Sequence, residues 1–183
     1  MIDRSGAAAF VNAKASGMLQ KSYIGSRAIK LFSVHSLPEL WALLFTDELP
    51  AVPELMLAKS IETKAQQTFI GQYEKLLGMY SNPDAVSLAL LQYYDYENLK
   101  DIGSALSKNE KNPPVLADIT PYNILNYKEW PHIAKITGDT PLAWYNKVPL
   151  VHEMQSLDNR LDLQYMRSVW HSIDKLPHSE RAP

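Results

Sequence analysis

The chain has 183 residues, 46% hydrophobic and 21% charged, with a formal net charge of −2 and no cysteine. That length is enough for one well-packed core in one or two domains, and the balance fits a folded globular protein. The near-neutral charge excludes a global pull toward nucleic acid or an acidic membrane, and the missing thiols exclude disulfides, thiol catalysis and Cys-ligated zinc.

The first segment reads as helix from about Asp3 to Leu19. Ala7, Phe10, Val11, Lys14 and Met18 fall near a 3.6-residue period, weakened by Gly6 and Gly17. Met1 to Ala9 does not read as a signal peptide, because no sufficient apolar run follows Arg4 before Asn12 and Lys14. Ser22 to Gly25 breaks the pattern. Ser36 then stands as an N-cap, Pro38 fits the first turn and Glu39 adds negative charge there. The helix that follows carries Leu40, Trp41, Leu43, Leu44 and Phe45, and Pro50 and Pro53 close the region.

The clearest helix runs from Glu54 to Tyr80. Leu55, Ala58, Ile61, Ala65, Phe69, Tyr73, Leu76 and Tyr80 predict one apolar face over about 40 Å. Asn82-Pro83-Asp84 predicts a turn, and Val86 to Tyr94 an apolar helix buried on most sides. The next helix contains Ile102 and Leu106. Between the two, Asp95 and Asn98 stand where a side chain could cap the second.

Lys108 to Pro114 reads as a loop or linker. From there Pro114, Pro121, Pro131, Pro141 and Pro149 punctuate the chain, which favours short helices over strands. Trp130, Trp144 and Tyr145 in this stretch either fix loops onto a core or anchor an interface. From Pro149 to Ile173 the pattern is again helical, with Val151, Met154, Leu157, Leu161, Tyr165, Val169 and Ile173 on one face. Lys175 to Pro183 reads as a polar tail that frays. Few segments alternate polar and apolar residues, so the expected class is all-α, a helical bundle. The expected division is a helical lobe over 1–107 and a second helical segment with Pro-rich connections over 108–183, the two forming separate domains or one. The two longest helices are expected to pack on each other and on the 86–94 helix.

No familiar catalytic pattern is present. There is no P-loop, no dinucleotide fingerprint and no nucleophile elbow. His35, His132, His152, His171 and His178 show no metal-ligand spacing. Asp158 and Asp162 lie four apart on one helix face, which suits acid–base work or a solvated charged face. Tyr93, Tyr94 and Tyr96 have no basic stripe beside them, so they read as core rather than as a platform for bases. No apolar run approaches the ~20 residues that span a bilayer, so any membrane association is expected to go through a partner.

Several stretches, in order, resemble the C-subunit family of bacterial and archaeal V-type ATPases, the counterpart of the d-subunit of eukaryotic V-ATPases. Phe10-Val11-Asn12-Ala13-Lys14-Ala15 is similar to the family's opening helix, where many members have Arg in place of Lys14. Ser36 to Leu44 resembles the second helix. Thr46-Asp47-Glu48-Leu49 follows it where members often carry a Thr-x-Tyr turn, here without the Tyr. The long helix with Ile61-Glu62 comes next, and then Asp95, Asn98, Leu99 and Lys100 match a D-x-x-N-L-K element. Leu157 to Tyr165, with Asp158, resembles the inter-repeat helix. The resemblance covers most of residues 7 to 173. Family members are about twice this length and carry a second Asp-x-x-Asn element.

The resemblance implies a non-catalytic part of a funnel built from three helical lobes, seated on the cytoplasmic face of a membrane ring. Its partners would be the rotor-stalk and ring subunits, and it would pass torque between them during proton or sodium transport or ATP synthesis. No cofactor, metal or catalytic residue is implied, nor any nucleic acid or direct membrane insertion. Asn12, Lys14, Asp95, Asn98, Leu99, Lys100 and Asp158 are then structural signature positions. The alternatives are a helical adaptor with unrelated partners, or an enzyme using Asp158/Asp162 or a histidine.

Overall fold

The computed structural model describes residues 4–176, with side chains described from Ala8 onward. The expected helix start at Asp3, His178 and the tail beyond Leu176 lie outside the described residues, as do the first residues of the Met1–Ala9 stretch. All regular structure among the described residues is helical, with no strand, so the protein is all-α. Eight α-helices are formed there: α1 Arg4–Lys21, α2 Ile29–Phe32, α3 Leu37–Leu44, α4 Glu54–Leu77, α5 Ala85–Leu91, α6 Tyr93–Ser107, α7 Ile133–Ile136 and α8 Met154–Asp174.

The chain divides into two compact units, 1–81 and 82–183. The division falls at 81/82, between α4 and α5, rather than at 107/108. The cause is that α6 packs on α8 and shares a core with the loop that follows it.

In the first unit, α3 begins as its sequence dictates. Ser36 Oγ accepts from the Glu39 N–H, and the Glu39 carboxylate accepts from the His35 N–H at 2.9 Å, which satisfies donors that a helix start leaves open. Helix α3 packs on α4 through Trp41, Leu57 and Ile61, with Leu37, Leu40, Leu44 and Phe45 around them. Asp47, in the turn after α3, ties this cluster together. Its carbonyl accepts from Trp41 Nε1 at 3.0 Å and its carboxylate holds Lys64, whose ammonium lies 4.8 Å from the Trp41 ring.

The single apolar face expected for α4 is not formed. Leu57 and Ile61 are buried near one end and Ile70 and Leu77 near the other. At about 100° per residue these pairs stand on roughly opposite sides of the helix. Leu55 is 88% exposed and Phe69 is 51% exposed. The long helices α4 and α8 were expected to pack on each other, but they fall in different units. Each packs inside its own, α4 on α3 and α1, α8 on α5 and α6.

In the second unit, Asp84 caps α5. Its carboxylate accepts from the Val86 and Ser87 N–H groups at 3.0 and 2.9 Å and from Ser87 Oγ at 2.6 Å. Helix α5 ends at Leu91, short of the expected Tyr94, and α6 starts after Gln92. The core gathers Tyr96, Leu99 and Ile102 from α6 and Leu161 from α8. It also takes Leu125, Ile133, Ile136, Leu142 and Tyr145 from the Pro-punctuated stretch. That stretch holds little regular structure, a 3-10 turn at Tyr127–Glu129 and the short α7. Even so, it supplies much of the interior. Trp130 and Trp144 pack against the same core and Tyr145 lies inside it, so these aromatics fix loops onto the core.

Candidate functional site

The candidate site is the D-x-x-N-L-K element, which lies inside α6 and not at its cap. The residue before α6 is Gln92, in helical conformation and without a side-chain capping bond. Asp95 and Asn98 are therefore interior helical positions, one turn apart on one side of α6. Both are buried, with Asp95 at 0% and Asn98 at 2% exposure. The helix-junction cap expected from local sequence is corrected here: the side chains turn inward to a loop far along the chain.

Asn98 binds both backbone groups of Ala117. Its Nδ2 donates to the Ala117 carbonyl at 2.8 Å and its Oδ1 accepts from the Ala117 N–H at 2.8 Å. Asp95 takes the next part of the loop, where one carboxylate oxygen accepts from the Ile124 N–H at 2.8 Å and the other from the Tyr127 hydroxyl. Tyr127 closes the circuit, its oxygen accepting from Asn98 Nδ2 at 2.9 Å. Two side chains of α6 thus replace the secondary-structure partners that a buried irregular segment lacks. Gln92 adds a bond from Nε2 to the Tyr122 carbonyl at 3.3 Å.

Burial dominates the electrostatics of this network. It pushes the Asp95 carboxyl up to about 6, against the opposing hydrogen bonds from Tyr127 and the Ile124 N–H. The Tyr127 hydroxyl is driven far above its ordinary value, first by burial and then by the Asp95 charge and the bond to it. No cation pairs with Asp95 among the ion pairs of the described residues.

Leu99 and Lys100 continue the element on other sides of α6. Leu99 is fully buried in the core. Lys100 joins α6 to α8, with its ammonium 2.6 Å from Glu97 and 2.5 Å from Asp162. Burial would lower the Lys100 pKa, but the bonds to Asp162 and Glu97 outweigh it and hold the ammonium well above its usual range. Asp158 sits one turn before Asp162. Burial raises its carboxyl pKa, with the Lys100 charge opposing and the Asp162 charge adding. The Asp158/Asp162 pair thus stands against a lysine in an interhelical charge cluster.

Asn12 and Lys14 lie on exposed positions of α1, in the first unit. The structure therefore joins Asp95 and Asn98 through Tyr127, places Lys100 near Asp158, and leaves Asn12 and Lys14 outside that constellation. Of the three tyrosines expected in the core, only Tyr96 is buried there; Tyr94 is half-buried and Tyr93 is 39% exposed. Tyr96 is buried and meets Tyr165 edge-on at 5.4 Å, and Tyr93 meets the same ring at 5.2 Å. Tyr127 is the member that sequence reasoning missed. It lies 29 residues from Asn98 in a stretch without periodicity, and no local pattern marks it. Among the described residues no group of His, Asp or Glu is arranged to hold a metal ion, and no helix is long and apolar enough to cross a membrane.

No family model matches the chain, and no solved structure matches it. It is similar to an uncharacterized protein of Treponema pallidum (strain Nichols), 29% identical over 180 residues that make up 98% of this chain and 53% of that protein. The chain spans about half the length of this curated relative.

Proposed function

We propose that the protein is a non-catalytic helical component of a V-type ATPase, of the C-subunit kind, that joins the central rotor stalk to the membrane ring. The observation that carries this reading is the D-x-x-N-L-K element, in which each polar side chain has a mechanical task. Asp95 and Asn98 lock residues 117–127 onto α6, and Lys100 ties α6 to α8. A part that passes torque needs a stiff body, and a buried, satisfied polar network makes one conformation far better than its neighbours. Support also comes from the collinear sequence resemblance and from the relative's length, about twice that of this chain, as in the family it resembles.

On this reading the work is mechanical. Hydrolysis elsewhere turns the stalk, and the protein transfers the rotation to a ring that moves protons or sodium ions. It would lie at the cytoplasmic face of the membrane, held by its partners, as part of a funnel of helical lobes. The test is an affinity pull-down of the tagged chain from detergent-solubilised native membranes, read by mass spectrometry. Joint recovery of rotor-stalk and ring subunits is the expected result. Recovery of neither, while a full-length relative run alongside brings both down, would move the protein to the class of helical adaptors with unrelated partners.

A further inference from the structure

Helix α8 carries two apolar faces. The inner one, Leu157, Leu161 and Tyr165, meets the core. The outer one consists of Leu163, Met166 and Trp170, which are 59%, 63% and 67% exposed. Their spacing of three and four residues makes a continuous stripe on the side opposite Leu161. One stripe is enough to seat a helix on its own core, so the second does nothing for the fold of this unit.

The border of the outer stripe is cationic. Arg160 and Arg167 flank it on one side, and neither pairs with a carboxylate among the described residues. The Arg160 guanidinium lies 3.7 Å from the centre of the Trp144 ring, and Trp144 Nε1 donates to Gln164 Oε1 at 2.5 Å. One cation is therefore held in place before any partner arrives, which lowers the ordering cost of binding. On the opposite border Asp162 is already engaged by Lys100. Asp174, near the end of the face, sets one acid against two arginines.

We propose that the outer face of α8 is a docking surface for an amphipathic helix of a partner protein, with its apolar stripe bordered by aspartate or glutamate opposite Arg160 and Arg167. This inference does not rest on the V-type ATPase reading. Met, Trp and Arg in one compact patch have the make-up of an interface hot spot, and Leu163 extends its apolar area. Charge complementarity selects the occupant. A second copy fits less well: antiparallel α8 helices that set Leu163 against Trp170 would bring the two Arg167 positions within about 1.5 Å of each other along the axis, like charge beside like. Three apolar side chains also offer little area to a lipid surface, where binding scales with apolar burial.

The test places a photo-crosslinking residue at Met166 of the full chain in its native host and identifies the joined peptide by mass spectrometry. The expected adduct is an acidic amphipathic segment of another protein, reduced roughly tenfold by Arg167→Glu or Arg160→Glu. It is retained in Arg160→Lys and Arg167→Lys. Arg167→Glu leaves the Trp144 stack untouched, and an unchanged melting temperature shows that the variant folds. An adduct to lipid, to a second copy or to the first unit of the same chain would overturn the proposal. So would the absence of any adduct, or an acidic adduct that survives both charge reversals.

Discussion

The two units solve the burial problem differently. In the second, Tyr96, Leu99, Ile102, Leu161 and the folded-back loop form one core, and the loop's buried backbone is satisfied by Asp95 and Asn98. The first has a small cluster around Trp41, Leu57 and Ile61, while Ile29, Phe32, Leu55 and Met56 are 66%, 82%, 88% and 58% exposed. Apolar content alone therefore does not make a rigid body. What separates the units is whether distant segments return to cover an apolar face and are held there by polar groups with matched partners. On that contrast, local stability should be concentrated in α6 and α8, and lower in the first unit.

Cavity formation should test the contrast most strongly. Leu161→Ala is expected to destabilise the second unit by about 3–5 kcal/mol, since the side chain is fully enclosed. Leu57→Ala, in the smaller cluster, should cost about 2 kcal/mol. Amide hydrogen exchange on each variant would report the two units separately, and equal losses would erase the distinction.

Asn98→Ala leaves the Ala117 N–H and carbonyl unpaired in the interior. The expected loss is about 3 kcal/mol, with exchange rising selectively at 115–127. Protection unchanged in that loop would show that Asn98 does not hold it.

Asp95 supplies a pH test of similar size. Its folded value of about 6 lies above the ordinary 3.8, so the folded state holds the proton more tightly. The stabilising contribution is fully present below about pH 4 and is lost as pH rises through about 6, a change of about 3 kcal/mol. Carbon-13 NMR titration of the Asp95 carboxyl should find its midpoint near 6. A midpoint near 4 would mean that the hydrogen bonds fully offset burial.

Glycine substitutions give the smallest and most direct contrast. A Cβ at Gly103 of α6 would run into the Tyr145 hydroxyl and stand 3.2 Å from Pro149, so Gly103→Ala should cost about 1–3 kcal/mol. At Gly71 of α4 a Cβ meets nothing within 4 Å, and Gly71→Ala should stabilise by up to about 1 kcal/mol through helix propensity. Thermal melts of the two variants should move in opposite directions.

Much of the local structure was legible in the sequence. The Ser36 cap, the break between helices at 82–84 and the long helices α4 and α8 come from residues close in the chain, and short-range hydrogen bonds and periodicity decide them. The candidate site was legible only as a set of names. Asp95, Asn98, Leu99 and Lys100 could be singled out, but Asp95 and Asn98 read as a cap because a polar pair after a helical run satisfies that local pattern equally well.

The all-α class, the absence of familiar catalytic motifs and the positions of the longest helices follow from composition and period alone. Tertiary structure decided that Asp95 and Asn98 point inward, that Tyr127 closes their circuit and that α4 buries opposite sides at its two ends. It also decided that α8 keeps a second apolar stripe in the open. Each depends on where a segment tens of residues away comes to rest, and the free energy of burying a polar group is set by the partner it finds there.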